Sequence, residues 1–137
     1  MSGLGRRIYA ILASLAVAWS IVFLIETLAA RMLPLPAGVN PLDAEELKQA
    51  LEAGEIPFAS LILVLCGWWL AAYAGGLIAA RLGGRGGAVS GFALLFTGVV
   101  VMNLLSAPHP TWMWIAGCAG VPLLALGAAG NGITIRG

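Results

Sequence analysis

Apolar residues dominate four stretches of the chain, 8–30, 57–82, 88–107 and 111–129. A helix rising 1.5 Å per residue needs about 20 such residues to cross a hydrocarbon core of about 30 Å, so each stretch predicts a membrane-spanning helix. The first is too long for the apolar part of a cleavable signal peptide, has no convincing small-x-small cleavage site, and reads as the first span. Between the first two spans the pattern changes. In 32–56, Pro34 and Pro36 stop the first helix and Asn40-Pro41 reads as a turn. Asp43 with Glu46 resembles a capping box, and Gly54 is a good C-terminal stop. Ala44, Leu47, Ala50 and Leu51 fall on one helical face, with Glu45, Lys48, Gln49 and Glu52 around the rest. The expected architecture is all-α: one domain, a four-transmembrane-helix bundle with a short amphipathic helix between the first two spans. The acidic face of that helix disfavours anionic headgroups, placing it over the mouth of the bundle or against a partner.

The second span organises the rest. Gly67, Ala71, Gly75, Ala79 and Gly83 recur at every fourth residue, and Ala72, Gly76, Ala80 and Gly84 run beside them. Residues four apart lie one turn apart on the same face, so the two rows form a strip without bulk. In lipid, helices associate through such close packing, which makes the strip a docking surface and this span the centre of the bundle. Pro57 suits the first turn. Trp68, Trp69 and Tyr73 sit near mid-span, where they either fill space between helices or face lipid, or else wall an aromatic-lined cavity or seat a partner. The first span offers a sparser strip at Ala10, Ser14 and Ala18, and the third has Gly87 and Gly91 in GxxxG spacing.

Composition fixes the environment. Of 137 residues, 61% are hydrophobic and 9% charged, against about 25% charged in an average soluble domain. Arg6, Arg7, Arg81, Arg85 and Arg136 fall on one side of a four-span chain, while Arg31 and Lys48 lie among Asp43, Glu45, Glu46, Glu52 and Glu55 on the other. The positive-inside rule then puts both termini in the cytoplasm and 32–56 outside, as in a bacterial inner membrane protein. A net charge of +1 argues against a nucleic-acid partner.

The unusual polar residues gather at the outer level: Glu26 and Arg31 on the first span, Asn103 and Ser106 on the third, His109 and Thr111 at the next turn, Ser60 on the second. A carboxylate within a span is costly and by default a functional candidate. Glu26 serves either as a hydrogen-bonded structural group or in proton or cation handling. The candidate polar site is therefore Glu26, Arg31, Asn103 and His109. One histidine and one glutamate do not complete a metal site, Cys66 and Cys118 form no Cys-x-x-Cys pair, and the glycine-rich 81–87 turn lacks the Lys-Ser/Thr of a phosphate loop, so neither a metal nor a cofactor is expected. No catalytic set is apparent, and the chain reads as a non-enzyme.

Gly75, Gly76, Ala79, Ala80 and Arg81 form a Gly-Gly-x-x-Ala-Ala-Arg end to the second span, and residues 108–112 a Pro-His-Pro-x-Trp turn. With the proline-containing outer loop, these features make the chain similar to uncharacterised small four-helix bacterial membrane proteins. The resemblance runs over most of the chain and implies a recurring fold without an assigned activity. The small-residue faces favour an accessory subunit packed against a larger membrane complex or its own copies. The alternatives are a small oligomeric transporter or channel using Glu26, and a lipid-binding protein with the outer helix as a lid. Expected partners are membrane lipid and other membrane subunits or a homo-oligomer.

Overall fold

The structure, a computed structural model, describes residues 2–131; Arg136, counted above with the cytoplasmic arginines, and the rest of the C-terminal tail lie outside the described residues. Five helices follow one another: α1 (Gly3–Met32), α2 (Ala44–Glu52), α3 (Phe58–Gly83), α4 (Gly87–Ser106) and α5 (Thr111–Asn131). Among the described residues, α1, α3, α4 and α5 are long and apolar enough to cross a membrane, the signature of a multi-pass membrane protein.

Two helix starts differ from the expectation, for local reasons. Ser2 caps α1 by accepting the Gly5 N–H at 3.1 Å, so the helix begins at Gly3 and carries Arg6 and Arg7 in its first turns. Pro57 stands just before α3 with ψ 126°, an extended backbone, and the helix starts at Phe58. The short outer helix forms as expected. Asp43 accepts the N–H groups of Glu45 and Glu46, while the Glu46 carboxylate reaches back to the Asn40 N–H at 2.7 Å, one turn of chain earlier than a standard capping box. At its other end Gly54, with φ +71°, donates to Leu51 and Glu55 donates to Ala50, a Schellman closure that needs the left-handed glycine.

The small residues of α3 are consumed inside the bundle. Gly67, Ala71, Ala72, Gly75, Gly76, Ala79 and Gly83 are all buried. A methyl group on Gly67 would sit 2.8 Å from the Ile25 side chain of α1. On Gly75 it would enter the Phe92 ring of α4, and on Gly76 the backbone carbonyl of Ala125 of α5. Gly83 meets Ala10 and Ala88. Thus α3 touches all three other long helices, most extensively α1, whose Ala10, Ser14 and Ala18 are wholly buried. The axis is filled by Trp68, Phe92, Val89, Val121 and Met113, each at 1% exposure or less.

The remaining seam, between α1 and α4, is uneven. Near the arginine-bearing end the two come together: Gly91 admits the Ile11 side chain, its Cβ position 2.7 Å from Ile11 Cδ1, and Gly87 lies against Arg7. Towards the α2 end the facing positions are Trp19 and Val22 on one helix and Phe96, Val99 and Asn103 on the other, and this bulk holds the helices apart over a hollow.

Candidate functional site

At the α2 end, the polar residues anticipated from sequence arrange themselves around Trp68. This indole is 1% exposed. The Glu26 carboxylate, half-buried on α1, lies within reach of its ring N–H. On its other side lies the His109 ring, with centroids 5.9 Å apart and planes tilted by 52°. His109 is held by its own backbone: Nδ1 lies 2.8 Å from the Ala107 carbonyl, which can only accept, so Nδ1 carries a proton and donates. Asn103, half-buried on α4, shares a narrow slot with Trp68, Trp19, Val22 and Phe96.

The structure thus gathers Glu26, Asn103 and His109 at one level and leaves Arg31 out. Arg31 is exposed in the last turn of α1, and no ion pair joins it to Glu26. Five residues apart on one regular helix the two point in different directions. Ser60 and Ser106 satisfy themselves on helix carbonyls, Pro57 at 2.8 Å and Met102 at 2.6 Å, and Thr111 is exposed. Cys66 faces outward, Cys118 is half-buried, and both thiols are free. Among the described residues no group of three or more metal-ligating side chains comes together.

Trp19, 57% exposed, is the shared wall of the hollows along the α1–α4 seam. One, about 940 Å³, runs beneath Pro41 and Leu42 of the outer loop and along Leu95, Gly98, Met102 and Asn103 of α4. A second, about 510 Å³, lies on the α1 face made by Trp19, Val22, Phe23 and Glu26, which are spaced at successive helical turns. Both fall within the about 300–1,000 Å³ range of small-molecule sites. Gly98 opens the first: a Cβ there would meet nothing within 4 Å. A separate cleft of about 460 Å³ separates α2 from the α4–α5 turn, with Glu45, Lys48 and Glu52 facing His109 and Trp114.

Trp68 is the residue that sequence reasoning missed, since it was grouped with its aromatic neighbours rather than singled out. A usable signal existed. An indole N–H inside hydrocarbon requires an acceptor, and Glu26 is the carboxylate at a matching depth on another span. Trp69 answers the same requirement differently, donating to the Ala116 carbonyl at 3.1 Å and packing on Gly120. No protein-family model matches the chain, and neither a curated protein nor a solved structure does.

Proposed function

We propose that this chain is a non-enzymatic integral membrane protein that holds an amphiphile in the half-bilayer nearest α2, in the crevice between α1 and α4. The observation that carries this reading is the uneven seam. It is shut by the Ile11–Gly91 contact at one end and open around Trp19 at the other, with apolar walls and the polar Glu26 and Asn103 side chains at the outer level. In this reading the arginine-bearing end faces the cytoplasm of a bacterial cell and α2 lies outside, with Pro41 and Leu42 rather than α2 over the crevice mouth. The filled axis of Trp68, Phe92 and Met113 gives no support to a channel through a single copy.

The accessory-subunit reading rests on α5, because the α3 strips are spent internally. On α5, Ala119, Leu123, Gly127 and Gly130 are exposed along one face, and the two glycines have open space beside them. Native mass spectrometry of the particle extracted in mild detergent tests both readings. The first expects one retained lipid-sized adduct per chain, lost in Gly98→Phe, a substitution whose Cβ meets nothing within 4 Å and whose ring takes up space in the hollow. An adduct equally retained by Gly98→Phe, or none in either protein, overturns it. The second expects stoichiometric unrelated subunits, and a particle made only of this chain sinks that version of it.

A further inference from the structure

We propose, resting on the crevice reading above, that the occupant is an outer-leaflet amphiphile carrying a primary ammonium directly on its apolar chain, with Glu26 as its counter-charge. The shape of the crevice restricts what enters. On α4 the hollow is lined from Leu95 outwards, the half of that helix nearest α2, and one turn further in Ile11 closes the seam against Gly91, so a partner helix about 10 Å wide cannot lie in it across the membrane. Pro41 and Leu42 cover the other end. Entry is sideways, from one leaflet, for a chain of about 15 Å, half the hydrocarbon thickness.

The charge of the occupant follows from Glu26. Around it stand Trp19, Ser20, Val22 and Phe23 of α1 and Trp68 of α3, with Asn103 of α4 across the slot; none is basic, and Arg31 makes no ion pair with it. A carboxylate offers about four lone-pair positions and Trp68 supplies one donor, so acceptor capacity is left facing the hollow. An ammonium brings three donors and the opposite charge, and the flanking Trp19 and Phe23 rings add cation–π attraction. Leu95, Gly98 and Met102 line the neighbouring hollow, which shares Trp19 with that of Glu26, and in this proposal the chain passes Trp19 to lie against them. A phospholipid headgroup fits less well, because its phosphate stands between ammonium and chain and would be held close to the carboxylate, which repels it.

The test is a native mass spectrometric titration of the full chain with hexadecylamine, hexadecanol and hexadecanoate, and with phosphatidylethanolamine. We expect the amine to bind about tenfold or more tighter than the alcohol, the scale of one charge-assisted hydrogen bond. Glu26→Gln, which keeps an acceptor for Trp68, should reduce that preference to about twofold or less while leaving the alcohol unchanged. Equal binding of amine and alcohol, or a preference that survives Glu26→Gln, overturns the ammonium assignment alone. Phosphatidylethanolamine matching the amine overturns the requirement for a directly attached ammonium. No binding of any probe, with Gly98→Phe indistinguishable from the parent, overturns the crevice reading itself.

Discussion

An indole in the middle of a membrane helix must place its N–H somewhere, because hydrocarbon offers no acceptor. Trp68 and Trp69, adjacent in sequence and so about 100° apart around α3, answer this differently: one faces the Glu26 side chain on α1, the other donates to a backbone carbonyl on α5. The two bonds differ in consequence. The Ala116 carbonyl keeps its place in α5 without Trp69, whereas Glu26 has no other donor shown and would be left half-buried and unbonded. Trp68→Phe should therefore destabilise the fold by about 1–3 kcal/mol and Trp69→Phe by clearly less, read as shifts in the unfolding midpoint in detergent. Adding Glu26→Leu to Trp68→Phe should recover part of the loss, since removing both polar partners costs less than orphaning one. Equal losses for the two tryptophans would refute this account. Glu26 was legible as a charged exception in an apolar run. Its partner was not, because periodicity tells which face a residue occupies and not which neighbour that face meets.

At the scale of the helix, the pattern of small residues was legible and its use was not. The spacing of Gly67, Gly75, Gly76 and Gly83 identifies a close-packing face whatever packs on it; only the fold shows that Ile25, Phe92, Ala125 and Ala88 do. Gly76→Leu should consequently disrupt the isolated bundle, seen as loss of a monodisperse peak in size exclusion, because backbone rather than a movable side chain occupies the space. Gly98→Leu, with open space at its Cβ, should elute as the parent does. Termini moved for reasons no hydropathy window contains: a serine hydroxyl on Gly5 and an extended proline before Phe58. The outer helix was the most readable element, since Asp43 and Gly54 act on their own immediate neighbours.

For the whole molecule, four spans follow from composition, but the order in which they pack does not, and the open α1–α4 seam is a property of that order. With one contact tight and the opposite end held apart by Trp19 and Phe96, the seam has a shape that no single helix encodes. Orientation is checked by replacing both native cysteines with alanine and introducing Lys48→Cys or Gly86→Cys. An impermeant thiol reagent applied to intact cells should label the first and spare the second, and the reverse pattern would invert the assignment. Helix length adds one more property. The apolar stretch of α1, 8–30, is about 35 Å long and α4, with 20 residues, about 30 Å, so α1 carries a few ångströms more apolar length than α4. A longer apolar stretch is accommodated by tilting, and because α1 and α4 touch at Ile11 and Gly91, a tilt of α1 about that contact would change the width of the seam. A thin membrane and a thick one would then set the two helices at different angles and give the seam different widths.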